Sequence, residues 1–166
     1  SVVSALTWNA NQAVDDGFVV TNGAVLTIDT STVPYNDLVV HTGQNNDIGD
    51  VVVRDATVAV TGNGRLILIN NNPNTMVSLN FEGNTGATVV GNIEARQYRL
   101  TVSTNLALED SNITANTFNQ GSGLISSTGS TMSSITTTDT TTATISGKNT
   151  VFAVNGNFGG GLIVRD

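Results

Sequence analysis

Seven stretches of this chain place a short aliphatic run directly after a turn rich in Gly, Asn or Asp. They are Asn22-Gly23-Ala24-Val25-Leu26-Thr27-Ile28, Asn36-Asp37-Leu38-Val39-Val40, Gly49-Asp50-Val51-Val52-Val53, Gly62-Asn63-Gly64-Arg65-Leu66-Ile67-Leu68, Gly86-Ala87-Thr88-Val89-Val90, Lys148-Asn149-Thr150-Val151-Phe152 and Gly159-Gly160-Gly161-Leu162-Ile163-Val164. A turn, a β-branched run and another turn, with no long 3.6-residue periodicity between them, spell a chain of many short strands. The same signals predict strands over 18–20, 57–60, 66–69, 76–81, 88–93 and 98–102. Residues 92–99 hold the helix formers Glu94, Ala95, Arg96 and Gln97, yet their β-branched flanks and the run 100–103 favour a strand there too. Residues 135–142 would read in isolation as a mucin-like linker. Thr is a good strand residue, and Ile125, Ile135 and Ile145 recur at ten-residue steps, so strands are predicted to continue.

The expected fold class is all-β, with a single domain over 1–166. Its parts are an N-terminal cap with the first strands (1–35), a main strand region (36–115), and Ser/Thr-rich strands closing on a C-terminal edge strand (116–166). Pro34 belongs at an edge or a turn, because it has no N–H for a ladder. Two architectures account for the pattern. In a parallel β-helix, or β-solenoid, inward aliphatics stack in columns while Asn and Gly take the bends. About seven coils rising ~4.8 Å each would give a rod of ~35 Å. In an antiparallel β-sandwich or jelly roll, Asn22-Gly23, Asn63-Gly64 and Asn155-Gly156 would be type I′ hairpin turns. The β-helix explains the Val51-Val52-Val53 and Leu66-Ile67-Leu68-Ile69 runs and the surplus of Asn, Thr and Gly. The sandwich explains the alternation in Thr57-Val58-Ala59-Val60 and Arg99-Leu100-Thr101-Val102. The β-helix is the favoured expectation. Gly49-Asp50-Val51-Val52-Val53-Arg54-Asp55 is echoed 111 positions later by Gly160-Gly161-Leu162-Ile163-Val164-Arg165-Asp166, a separation of five coils of about 22 residues. Gly64-Arg65-Leu66-Ile67-Leu68 also resembles Gly160-Gly161-Leu162-Ile163-Val164.

Composition narrows the classes of function. At 166 residues and 17.2 kDa the chain can bury a core without staples. Charged residues make up 11%, against about 25% in ordinary soluble domains, and Asn, Thr, Ser and Gly have taken their place. Neutral polar side chains suit stacked strands, because they hydrogen-bond along a face without like-charge repulsion. The net charge of −7, with the few Lys and Arg scattered, argues against direct nucleic-acid binding and against an anionic membrane surface. No apolar run approaches the ~20 residues of a membrane span, so membrane insertion is not expected. The absence of Cys excludes disulfides, thiol catalysis and thiolate metal sites. Ser1-Val2-Val3-Ser4 carries neither a basic region nor a long apolar core, so a leader already removed or a trimmed initiator Met is expected.

Asn22-Gly23-Ala24-Val25-Leu26-Thr27-Ile28 and Thr61-Gly62-Asn63-Gly64-Arg65-Leu66-Ile67-Leu68 resemble the coil signature of right-handed β-helices. Such coils occur in autotransporter passengers, filamentous-haemagglutinin-like adhesins and phage spike or decoration proteins. The opening Trp8, followed by Phe18-Val19-Val20, is similar to the start of β-helical modules on surface and virion proteins. The likeness covers residues 7–115 and implies fold and location, since these families span adhesion, capsid decoration and polysaccharide cleavage.

Candidate chemistry is sparse. His41 is the single histidine, so a His-based triad or multi-His metal centre would rest on it alone, and no Gly-x-Ser-x-Gly elbow accompanies it. The expected role of His41 is a solvated or turn-capping one. Glycan cleavage needs a proton donor and a base flanking the scissile bond, and Asp15/Asp16, Asp47/Asp50 and Glu109/Asp110 are the acid pairs available. Neighbours within a strand face opposite ways, which leaves Asp47 and Asp50, in a turn, as the pair able to converge. Aromatic residues make up only 5%, and with Trp8, Tyr35 and Tyr98 as the sole polar-edged rings to stack on, a sugar-binding cleft is not expected. Calcium takes six to eight oxygen ligands, and Gln44-Asn45-Asn46-Asp47-Ile48-Gly49-Asp50 offers them, with Asp47 and Asp50 as the charged pair. No other cofactor is expected. Asn112-Ile113-Thr114 is a glycosylation sequon that counts only in a eukaryotic secretory setting. Gly156-Asn157-Phe158-Gly159-Gly160-Gly161 precedes a strand instead of a helix, so it is expected to be a turn and not a phosphate cradle.

These readings point to a non-enzymatic structural protein on the exterior of a virion, such as a phage capsid decoration protein. It would dock through sheet edges, with the terminal strand Leu162, Ile163 and Val164 as the interface. Its partners would be capsid or surface-layer proteins and further copies of itself. A secreted bacterial adhesin or autotransporter-passenger-like protein at the cell surface is the alternative, and a small polysaccharide-active enzyme using Asp47 and Asp50 ranks last.

Overall fold

The computed structural model describes residues 2, 3 and 5–166, with the backbone alone at Val2 and Val3. Ser1 and Ser4, part of the stretch read for a leader, lie outside the described residues. The chain winds through three walls in strict rotation. The first coil is β1 (Val2–Val3), β2 (Leu6–Trp8) and β3 (Gln12–Ala13), and the second is β4 (Phe18–Thr21), β5 (Val25–Asp29) and β6 (Leu38–Thr42). The third is β7 (Val51–Arg54), β8 (Thr57–Thr61) and β9 (Arg65–Asn70), and the fourth is β10 (Val77–Glu82), β11 (Ala87–Val90) and β12 (Asn92–Arg96). The fifth is β13 (Tyr98–Ser103), β14 (Leu106–Glu109) and β15 (Asn112–Ala115), and the sixth is β16 (Thr117–Ser122), β17 (Leu124–Thr128) and β18 (Ser134–Thr137). The seventh is β19 (Ala143–Ser146), β20 (Val151–Ala153) and β21 (Asn155–Phe158), after which β22 (Leu162–Arg165) begins an eighth.

Sheet A collects the first strand of every coil, β1 to β22; sheet B the second, β2 to β20; sheet C the third, β3 to β21. Among the described residues every strand pairing is parallel, for example Val19 beside Val52 and Leu79 beside Leu100. The fold is therefore a parallel β-helix, and the antiparallel sandwich is excluded. Asn22 (φ 58°) and Gly23 (φ 73°) share the left-handed conformation of a type I′ turn, but they carry the chain from β4 into a different sheet. Asn63-Gly64 likewise joins β8 to β9 in another sheet, and Asn155-Gly156 lies inside β21.

The alternation of each strand decides what points inward. Sheet A stacks Val20, Val53, Phe81, Val102, Gln120 and Ile145 in one inward column, and sheet C stacks Leu38, Leu66, Ile93, Ile113 and Ile135. On sheet B the column Ala24, Ala56, Ala87, Leu106, Ile125, Phe152 grows in side-chain size along the axis. Ile125, Ile135 and Ile145 fall on sheets B, C and A in turn, so their ten-residue step is one wall of the coil. The 111-residue echo is also real. Val51 and Leu162 occupy the same position of sheet A five coils apart, with Val52 aligned through Asn80, Thr101, Asn119 and Thr144 to Ile163. The second echo relates β9 to β22, which lie in different sheets and share no column.

Corners explain the Asn, Asp and Gly. Asp37 Oδ1 accepts Arg65 N–H, Asp50 Oδ1 accepts Ser78 N–H, Asn105 Oδ1 accepts Leu124 N–H and Asn116 Oδ1 accepts Gln97 N–H, each from a neighbouring coil. These are the donors that a bend leaves without a ladder partner. The strand read over 88–93 is in fact two, broken at Gly91, whose φ of +81° turns the corner; a Cβ there would stand 2.6 Å from the carbonyl oxygen of Val60. Gln97 (φ 63°) makes the next break, so 92–96 is strand, as expected, and not helix.

Candidate functional site

The ends of the stack differ from its middle. At the first end Trp8 packs edge-on against Phe18, centroids 5.1 Å apart, and closes the core beneath the first two coils. At the other end Phe118, Phe152 and Phe158 form a trio with centroids 5.6–5.8 Å apart. Above them lies β22, held to β19 on one side and to no described strand on the other. Leu162 and Val164 continue the inward columns over Ala143 and Ile145, and Ile163 continues an outward one over Thr144. No coil covers them among the described residues, so Leu162 is 44%, Ile163 37% and Val164 69% exposed. The three residues read from sequence as an interface thus form an apolar edge strand. Lys148 and Arg165 flank it where the chain passes from sheet A to sheet B, both exposed and in no ion pair among the described residues.

The acids of the three candidate pairs all lie exposed at corners, loops or strand ends of the coil. Asp50 sits on an exposed corner with its carboxylate accepting Ser78 N–H at 2.7 Å, and Asp47 lies exposed in the preceding loop. In that loop the carbonyls of Asn46 and Asp47 already accept the Nδ2 amide of Asn72, at 2.9 and 3.5 Å. Among the described residues no group of three His, Asp or Glu side chains converges as a metal centre. Asp15 and Asp16 occupy the corner between β3 and β4, and Asp110 (φ 44°) the corner after β14, just beyond Glu109. The backbone N–H and hydroxyl of Thr131 hold the Asp110 carboxyl below its ordinary value. The backbone N–H of Thr85 does the same for Asp55, and the Ser31 hydroxyl for Asp29. Carboxylates held ionised in the fold stabilise it fully above the ordinary carboxylate value, and that contribution disappears as pH falls through the lowered one. His41 is half-buried, with Nδ1 3.0 Å from Asn71 Oδ1. Asn112 of the sequon is tied into a ladder, its amide donating to Asn92 Oδ1 and its Oδ1 accepting from Ser134.

Of the three polar-edged rings, Trp8 and Tyr98 are buried and Tyr35 alone, at 97% exposure, faces solvent. Tyr98 is the polar residue that sequence reasoning misplaced. Its hydroxyl donates to the Gly49 carbonyl at 2.9 Å and receives Thr42 Oγ1, tying the fifth coil to the loop that precedes the third. Burial raises its phenol, aided by the nearby charge of Asp50 and opposed by the Thr42 hydrogen bond. Gln120 was also unforeseen. It takes an inward position, donates Nε2 to the carbonyls of Gly123 and Val151, and keeps Oε1 buried without a partner. A Gln at a hydrophobic position gives no sequence signal until the register is known. A groove of about 190 Å³ runs over sheet B, lined by Thr85, Thr88, Asn105, Ala107, Leu124 and Ser126 and by no ionisable side chain.

No protein-family profile, no curated protein and no solved structure matches the chain.

Proposed function

We propose that this chain is a non-catalytic structural element displayed on an extracellular or virion surface, as a capsid decoration protein is, docked onto a larger assembly through the free edge of sheet A. The single observation that carries this reading is β22. Leu162, Ile163 and Val164 stand exposed on an edge strand whose outer side pairs with nothing among the described residues, and unpaired backbone groups beside apolar side chains are a ready surface for strand addition. The rest of the rod supports a scaffolding role. The outward column of sheet A through Asn80, Thr101, Asn119 and Thr144 is uncharged and hydrogen-bonded, as in Thr101 to Asn80 at 2.8 Å and Thr144 to Asn119 at 3.0 Å. Its groove holds no acid or base to move a proton. Capsid or surface-layer proteins are the partners this reading assigns.

The test is sedimentation of the native protein from its producing cells. The chain is expected to travel with an assembly in the megadalton range, and Leu162→Asp with Val164→Asp to release it while the circular-dichroism spectrum stays β-rich. Sedimentation as a free small protein, or release unaffected by these changes, overturns the reading. A secreted adhesin is the second reading, favoured by Tyr35, held exposed at φ 62° on the tip between β5 and β6. Replacing residues 34–36 would abolish binding to a host surface under that reading and leave particle association intact under the first.

A further inference from the structure

We propose that Tyr35 of one copy of this chain seats in the sheet B groove of a second copy, so that neighbouring copies join side to side. This contact is independent of β22 and of the docking assigned to it. Tyr35 belongs to the corner from sheet B to sheet C, where residues 30–37 form a loop between the shorter corners 9–11 and 62–64 of the adjoining coils. Its side chain is 97% exposed, so its ring is left for another molecule to cover. The backbone beneath it is fixed. Val33 is buried in the core, Thr32 Oγ1 donates to the Asn9 carbonyl at 2.9 Å, and Asp29 Oδ1 accepts both the N–H and the hydroxyl of Ser31. The Asn36 carbonyl oxygen lies so close over Gly64 that a Cβ there would stand 1.1 Å from it. Tyr35 (φ 62°) and Asn36 (φ 60°) both take the left-handed backbone, which a bulky residue keeps only where its surroundings hold it. A ring presented in this way loses little freedom on binding.

The groove matches that ring in size and chemistry. A cavity of about 150 Å³ holds a benzene molecule, and the groove offers about 190 Å³. Ala107 lies between Thr88 and Ser126 in one outward column, and Leu124, 40% exposed, adds a second apolar surface for the ring. For the phenol hydroxyl there are Thr88 Oγ1, Ser126 Oγ and Asn105 Nδ2, none with a hydrogen-bond partner among the described residues. The walls are already set. Asp55 Oδ1 accepts the N–H groups of Thr85 and Gly86 at 2.6 and 3.3 Å, and Asn105 Oδ1 accepts Leu124 N–H at 3.0 Å. No ionisable side chain lines the groove. Asp29 and Asp37 beside the tip are tied to Ser31 and Arg65, and Asp55 behind the groove to Thr85, so neither surface desolvates an unpaired charge. Glu109 and Lys148 stand at the rim, the first at the far end of β14, the second on the corner one coil above Leu124. Tip and groove lie on different surfaces of one copy, so the contact is heterologous, and each joined pair still offers one of each. One side chain in one recess is a small interface, so free copies meet at concentrations on the order of 0.1–1 mM. Copies held side by side on an assembly reach an effective concentration on the order of millimolar, which fills such a contact.

The test follows the purified 166-residue chain from micromolar to low millimolar concentration by diffusion NMR and small-angle scattering. Average mass is expected to rise with concentration, and to rise further as salt screens the net charge of −7 on each copy. Tyr35→Ala removes the ring and Ala107→Phe fills the groove, so each should leave a monomer. Tyr35→Phe should weaken association about threefold to tenfold through its lost hydrogen bond. An equimolar mixture of Tyr35→Ala and Ala107→Phe keeps one tip and one groove, and should form a 1:1 pair and nothing larger. Circular dichroism on each variant separates loss of association from loss of fold. A chain monomeric throughout, association indifferent to Tyr35→Ala or Ala107→Phe, or a mixture that stays monomeric or grows beyond two overturns the inference. Leu162→Asp with Val164→Asp should leave the self-association unchanged while releasing the chain from its larger assembly. Self-association lost with these changes and kept in Tyr35→Ala belongs to the edge strand and overturns the groove contact. Loss of host-surface binding in Tyr35→Ala, with self-association intact, gives the tip to the adhesin reading and overturns it too.

Discussion

At the scale of single residues, the polar groups that matter are those that satisfy a bend. Asp50, Asp55, Asp110 and Asn116 each accept backbone N–H groups that the turning chain removes from the sheets. Tyr98 does the same from inside, reaching the carbonyl of Gly49 across the coil stack. Tyr98→Phe leaves Thr42 Oγ1 and the Gly49 carbonyl short of a partner in a dry site, so a loss of about 1–3 kcal/mol is expected in denaturant unfolding. The pH sign follows from the raised phenol. Its contribution is complete below the ordinary value of 10.0 and is lost as pH rises toward the higher folded value. In a Tyr35→Phe background, phenolate absorbance should therefore appear together with unfolding; ionisation well before unfolding would refute the buried assignment. The exposed ion pairs, Arg65 to Glu94 at 2.9 Å and Arg96 to Glu94 at 3.3 Å, contribute little by comparison, because solvent screens them.

At the scale of elements, the breaks between strands decide the fold as much as the strands do. Gly91 lets β11 end and β12 begin on a new wall, and its neighbour across the coil is the Val60 carbonyl. Gly91→Ala combines a left-handed backbone with that contact, so a cost above about 2 kcal/mol is expected in thermal or denaturant melts. A neutral outcome would mean that the corner can be rebuilt. This element also marks the limit of what could be read in advance. The aliphatic runs at Leu38, Val51, Leu66 and Leu162 announced strands because β-branched and aliphatic residues bounded by Gly and Asn carry a local signal. Val89-Val90 and Ile93 read as one strand because a single Gly within an apolar run does not say whether the chain bulges or turns. Leu162, Ile163 and Val164 were legible as a strand from their place after Gly159-Gly160-Gly161. The burial of Tyr98 and Gln120 was not legible, since it depends on which residues stack several coils away.

At the scale of the molecule, the described strands of each coil pair only with those of the coils above and below it. Apart from the longer reach of Tyr98, stability therefore accumulates by neighbour contacts along the rod. Strands β10 and β13 have a paired strand on both sides, whereas β22 has one. Amide exchange at neutral pH should accordingly be slowest in β10 and β13 and fastest in β22 and β20; uniform protection along the rod would argue against neighbour-by-neighbour stability. A chain written in so few residue types also runs the hazard of threading itself one storey out of place. The sheet B column that climbs from Ala24, Ala56 and Ala87 to Leu106, Ile125 and Phe152 removes that hazard. Sliding the later storeys down by one would force Leu106 into room kept for Ala87, an overfilling that costs about 1–3 kcal/mol. The step in bulk from Ala87 to Leu106 thus serves as an address that marks where the fifth storey sits on the fourth.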